Sequence, residues 1–118
     1  MLDSVSSSLK TYLDLLTVRQ KLVASNLANI DTPGYRTRDL DFQGEMNAAI
    51  GRSGSEDMSV GQTVTEVEGL SVNNDGNNVN LDREAKLLAD NAMRFELAST
   101  LLSGRFRNLR LAIKEGNS

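Results

Sequence analysis

The chain has 118 residues, which allows one hydrophobic core but not two. A formal charge of −3 argues against a chain whose task is coating nucleic acid, and a 4% aromatic share leaves the packing to leucine and other aliphatic residues. Cysteine and histidine are both absent. Disulfides, thiolate chemistry, Cys- or His-based metal sites and the commonest general base are thereby excluded, so no catalytic, cofactor-binding or metal-ligating residue is assigned and no enzyme is expected.

No stretch approaches the roughly 20 apolar residues that a membrane-spanning helix needs. At the N-terminus Asp3, Lys10, Asp14, Arg19 and Lys21 interrupt any hydrophobic run of the kind a secretory signal carries. If the protein leaves the cytoplasm, a route without a cleaved signal peptide is expected.

Residues 4–29 read as a helix that Asp3 or Ser4 can cap, a short side-chain oxygen accepting from the free N–H groups of the first turn. Val5, Leu9, Tyr12, Leu16, Val23 and Ile30 fall on a stripe of 4-3 spacing, with Arg19 and Asn26 as its polar members. Leu13 and Leu27 widen this stripe, and Leu15, Val18 and Leu22 form a further row. Apolar residues around so much of the circumference predict several neighbours rather than one.

The helix runs into Asn26-Leu27-Ala28-Asn29-Ile30-Asp31-Thr32-Pro33-Gly34-Tyr35, which holds the chain's single proline. Pro33 disfavours helical backbone at Thr32, and Gly34 can take positive φ, so the segment reads as a helix stop followed by a turn. Asn26 and Asn29 lie three apart, on one helical face, each able to donate and accept. From residue chemistry alone, a helix end and a loop account for it.

Residues 36–78 are rich in Gly, Ser and Asn, which break helical periodicity. Residues 45–50 can make a short helix. Residues 63–67 and 70–72 are weak strand candidates, linked through Gly69 as a small hairpin, with a partly disordered loop as the alternative. The run Asn73-Asn74-Asp75-Gly76-Asn77-Asn78 is a turn signal.

Residues 81–114 predict a second, longer helix. Leu81, Ala85, Leu88, Ala92, Phe95, Leu102, Phe106, Leu109 and Ile113 keep 4-3 spacing, broken at Ser99. Asn80 or Asp82 is the expected cap, and Gly116 the expected C′ glycine. Arg105, Arg107, Arg110 and Lys114 crowd the last turns; they read as cations suited to the negative end of a helix rather than as a nucleic-acid site. The pairs Asp39/Asp41 and Asp82/Glu84 have no base or metal partner in view and read as exposed loop and cap carboxylates.

The segment at 26–35 resembles the Asn-hydrophobic-Ala-Asn-x-x-Thr-Pro-Gly-Tyr signature of the axial proteins of the bacterial flagellum, which form its rod, hook and hook-associated parts. Arg19, seven residues before Asn26, fits the same pattern. The short length, the run Tyr35-Arg36-x-Arg38-Asp39-x-Asp41-Phe42 and the run Phe106-Arg107-x-Leu109-Arg110-x-Ala112-Ile113 are most similar to the proximal rod members of that family. Residues 44–72 offer little to match.

The resemblance implies a mainly α fold in which long N- and C-terminal helices pair as an antiparallel coiled coil. Residues 1–35 and 79–118 would form one discontinuous core domain, and residues 36–78 a loop or short-β linker. The junction residues would be Asn26, Asn29, Thr32, Pro33, Gly34 and Tyr35, and the two apolar stripes the coiled-coil and assembly seam. The implied function is a structural subunit of the flagellar basal body, building the proximal rod, or drive shaft, by helical polymerisation. Its partners would be other rod proteins and copies of itself, near the membrane-embedded ring and the export gate, with no cofactor and no nucleic acid. Its place would be the periplasmic rod, reached by type III export. A cytoplasmic coiled-coil adaptor or type III secretion chaperone is the alternative; it accounts for the heptads and leaves the 26–35 signature to chance.

Overall fold

The computed structural model describes residues 4–51 and 63–116. In chain order it comprises α1 (Ser4–Ala28), β1 (Arg38–Leu40), α2 (Phe42–Gly51), β2 (Val64–Glu66) and α3 (Leu81–Gly116). The molecule is a rod of 70 × 26 × 17 Å, its length set by α3, whose 36 residues span about 54 Å at 1.5 Å each.

α1 is the element that α3, β1 and α2 pack against, while β2 is held through β1. Leu15, Leu16 and Val23 are fully buried, with Leu40 of β1, Val79 and Ala98 of α3 completing the core. Of the predicted α1 stripe, Leu16 and Val23 are buried, Leu9, Tyr12 and Ile30 are half-buried, and Val5 is exposed. Of the two expected caps, Asp3 lies outside the described residues and Ser4 is the first helical residue.

The contacts between α1 and α3 run in opposite order along the two helices: Asn26 meets Glu84, Leu16 and Gln20 meet Asn91, Tyr12 meets Arg94, and Ser6 meets Arg105. The buried residues of α3 are Glu84, Asn91 and Ala98, seven apart. The predicted α3 stripe is therefore not the line that meets α1. Leu81, Ala85, Leu88, Ala92, Phe95, Phe106, Leu109 and Ile113 are exposed, and only Leu102 is part-buried. The physical reason is that a polar row decides the rotation of α3. Glu84 and Asn91 find hydrogen-bond partners on α1, and Ala98 is small enough for close approach; facing them to α1 turns the leucine stripe outward by about half a right angle.

Asn80 is the cap of α3, its Oδ1 accepting the Arg83 N–H at 3.0 Å while its carbonyl accepts from Glu84. Asp82 lies inside the first turn, where it pairs with Lys86. Gly116 is still helical and has no positive φ, so the expected C′ role is not met.

The hairpin has a different partner from the one expected. β2 pairs antiparallel with β1, Arg38 opposite Glu66 and Leu40 opposite Val64, and residues 70–72 form no strand. β1 is recruited because α1 already holds its backbone, as described below. Between the strands lies α2, longer than the predicted 45–50 and capped by Asp41, whose Oδ1 accepts from Gly44. A side chain at position 44 would collide with the Asp41 carboxylate, so that glycine keeps the cap in place. Phe42 sets α2 on α1, its ring edge-on to Tyr12 at 5.4 Å and 5.6 Å beneath the Arg19 guanidinium.

Candidate functional site at the helix junction

The end of α1 is held by one side chain. Asn26 is buried and uses its whole hydrogen-bonding capacity. Its Nδ2 donates to the Arg38 carbonyl at 2.9 Å and to Glu84 Oε1 at 3.2 Å; its Oδ1 accepts from the Tyr35 hydroxyl at 2.9 Å and from the Arg38 N–H at 3.2 Å. A single residue thus ties α1 to the turn, to β1 and to α3.

Asn29 serves the turn itself. Its Nδ2 donates back to the Ser25 carbonyl at 2.8 Å, and its Oδ1 accepts from Thr32 Oγ1 at 3.0 Å. The Thr32 N–H closes on the Asn29 carbonyl, and the Tyr35 N–H on the Thr32 carbonyl. Pro33 sits exposed at the apex, and Gly34 follows with φ of 76°. The Tyr35 ring folds back so that its hydroxyl also lies 3.2 Å from Ser25 Oγ.

A second turn, at residues 73–78, is clasped to the first. The Gly34 N–H donates to the Asp75 carbonyl at 2.9 Å, and Asn77 Nδ2 donates to the carbonyls of both Asn29 and Thr32. Asn78 Oδ1 accepts from the Thr37 N–H at 2.6 Å, and its own N–H donates to the Tyr35 carbonyl. Gly76, with φ of 87°, lies against Gly34 so closely that a Cβ there would come within 3.3 Å of the Gly34 Cα. Two left-handed glycines therefore pack back to back. All six predicted junction residues are brought together here, and the 73–78 turn is as expected; that the two turns interlock was not. The signal that could have shown it is the Asn77-Asn78 pair, whose amides can satisfy another segment's free carbonyls.

Beside the junction lies an ionic row. Arg19 holds Asp39 with two bonds, Nε to Oδ1 at 3.2 Å and Nη2 to Oδ2 at 3.1 Å. Arg83 reaches Asp39 Oδ2 at 2.7 Å and Glu84 Oε1 at 2.6 Å. Burial pushes the Asp39 carboxyl up. Hydrogen bonds from Arg19, the Leu40 N–H and Arg83, with the Arg19 charge, outweigh it and hold the group below the usual carboxylate range. Asp39, part-buried, and Glu84, fully buried, are thus structural ties rather than exposed loop and cap groups. Their partners come from α1 and α3, at separations that no local pattern reveals. Glu84 Oε2, Asn78 Nδ2 and Asn91 Oδ1 are buried without a hydrogen-bond partner. Among the described residues no group of three or more carboxylates could hold a metal ion, and no helix is long and apolar enough to cross a membrane.

The arrangement sets the angle at which α1 hands over to β1 and ties α3 to α1. Comparison with known proteins agrees with that reading. A family model described as "Flagella basal body rod protein" matches residues 13–36, the second half of α1 and the first turn. The flagellar basal body rod protein FlgB of Escherichia coli K12 is 30% identical, covering 99% of this chain and 100% of that protein. FlgB of Salmonella typhimurium is likewise 30% identical over the same shares. FlgB of Borreliella burgdorferi is 27% identical, covering 87% of this chain and 90% of its own. The junction motif and the whole-length similarity together make this chain a member of the FlgB family, a structural subunit of the flagellar basal body rod.

Proposed function

We propose that this subunit builds the proximal part of the rod by helical polymerisation, with α1 and α3 acting as an antiparallel coiled coil that lines the inner tube. The observation that carries this reading is the exposed leucine stripe of α3. Leu81, Leu88, Phe95, Phe106, Leu109 and Ile113 lie open to solvent in the isolated chain, a run of large apolar side chains of the size that marks an interaction surface. Neighbouring rod subunits and further copies would cover it, and a contact that does not close on itself extends into a helical shaft. The junction turns the chain outward from the tube, so Asn26, Asn29, Thr32, Pro33, Gly34 and Tyr35 act as a corner and not as a catalytic site. Passage to the periplasmic rod through type III export, without cleavage of a signal, fits the same reading.

The test uses the stripe. Phe106→Asp and Leu109→Asp change exposed positions, so the purified chain should unfold at a denaturant concentration close to that of the parent. In cells lacking the native subunit, either variant should abolish rods and motility while the protein is still made. Normal motility with Phe106→Asp and Leu109→Asp combined would sink the proposal.

A further inference from the structure

The last three turns of α3 combine charge and apolar surface in one pattern. Every residue from Arg105 to Gly116 is exposed, over about 18 Å of helix. At about 100° per residue, Leu102, Phe106, Leu109 and Ile113 fall within an arc of about 60°. Arg110, Lys114 and Arg107 stand about 70–130° from the middle of that arc on one side, and Arg105 about 70° on the other. Asn108 and Glu115, the one acid of the segment, lie about 130–150° away, with Leu111 the one large apolar residue beside them. Arg105 reaches Ser6 Oγ at 3.3 Å; Arg107, Arg110 and Lys114 form no ion pair among the described residues.

We propose that this end of α3 binds the surface of an anionic lipid bilayer, lying in the headgroup layer with Phe106, Leu109 and Ile113 turned into it. The placement of charge selects the occupant. Cations border the apolar arc on both sides and the acid faces away, so long Arg and Lys stems can lie along the apolar surface while their heads reach lipid phosphates. The helix macrodipole does not account for this pattern, because its effect fades within the last turn and Arg105 and Arg107 stand more than two turns before Gly116. No described helix is long and apolar enough to cross a membrane, so the segment lies on the bilayer rather than through it. Lipid and neighbouring rod subunits would cover the same face and exclude one another; lipid docking therefore belongs to the subunit before assembly, and the inference stands apart from the rod-subunit reading.

The chain has no tryptophan, so an introduced one reports its surroundings alone. Phe106→Trp marks the apolar arc and Asn108→Trp the opposite face; both positions are exposed, and circular dichroism confirms that each variant keeps its helices. With vesicles containing phosphatidylglycerol, the Phe106→Trp emission should shift to the blue and the Asn108→Trp emission should stay as in water. Vesicles of phosphatidylcholine alone should bind at least roughly tenfold more weakly, and raised salt should release the chain. Replacing Arg107, Arg110 and Lys114 together by Gln should weaken binding about a hundredfold, at roughly fivefold per cation. No binding to the anionic vesicles overturns the proposal, as do equal shifts from both tryptophans or unchanged binding by the triple variant. A Phe106→Trp shift with polyglutamate but none with vesicles also overturns it and assigns this end to an acidic protein. The assay uses the purified chain without a rod, so its failure leaves the rod-subunit reading standing.

Discussion

Replacing Asn26 by alanine should remove the largest single tie in the molecule. The substitution strips partners from four groups: the N–H and carbonyl of Arg38, the Tyr35 hydroxyl and Glu84 Oε1. Two of these keep another partner, since Tyr35 still has Ser25 Oγ and Glu84 still has Arg83. The Arg38 backbone pair loses its bonds on the α1 side, at about 1–3 kcal/mol per group if no water reaches it. Adding the two lost bonds that have substitutes, at about 0.5–1.5 kcal/mol each, gives a total of roughly 3–9 kcal/mol, against a whole-chain stability on the order of 6–18 kcal/mol for this length. Asn26→Asp should cost more, because it keeps the shape but sets a carboxylate oxygen against the Arg38 carbonyl and Glu84. Denaturant unfolding followed by circular dichroism measures both, and Glu84→Gln in each background apportions the share of the Asn26–Glu84 bond. A loss below about 1 kcal/mol for Asn26→Ala would show that the junction is held elsewhere and that the four bonds are incidental.

The interlocked glycines give a ranking. Gly34→Ala meets empty space and should cost only the left-handed backbone penalty of about 1–2 kcal/mol, whereas Gly76→Ala adds crowding against the Gly34 Cα and should cost more in the same unfolding assay. The pH profile should follow Asp39. Its carboxyl is held below the usual value of 3.8, so its contribution is complete above that value and lost as pH falls through the lower, folded one. Unfolding free energy of the parent should therefore decline below about pH 4, and Asp39→Asn should flatten that decline. Asn91→Leu removes a polar anchor of the α3 rotation while leaving Leu16 its helical bond; the isolated chain should be unchanged or about 1 kcal/mol more stable, yet rods should fail because the stripe turns inward. A loss of more than about 2 kcal/mol would mean that Asn91 stabilises rather than orients.

Both long helices were legible because apolar spacing is a local signal, as was the Asn80 cap of α3, and so was the turn chemistry of Pro33, Gly34 and Gly76. The rotation of α3 was not. Its best apolar heptad and its contact line are different rows, and Glu84 and Asn91 look like solvent residues until Asn26, Leu16 and Gln20 stand opposite them. The strand pairing was also hidden. A three-residue strand such as Arg38–Leu40 has almost no pattern of its own, and it pairs with residues 64–66 because Asn26 fixes its backbone. The residues brought together at the junction, Asn26 with Glu84 and Asn29 with Asn77, are joined by topology across 48–58 positions, which spacing rules do not reach.

The uneven distribution of ties along α3 has a mechanical consequence. Its first turn is bound by Asn26, Asp39 and the Asn80 cap, contacts thin to Asn91, Arg94 and Arg105, and from Phe106 to the last helical residue every side chain is exposed. α3 is thus held most densely at its first turn, and its last 11 residues, about 17 Å, turn their side chains to solvent. A helix end with so little packed against it frays when alone and holds its form once neighbours cover it, so its order becomes a property of the stack. On the proposed reading, a shaft built from such subunits would gain its stiffness as successive helix ends are covered.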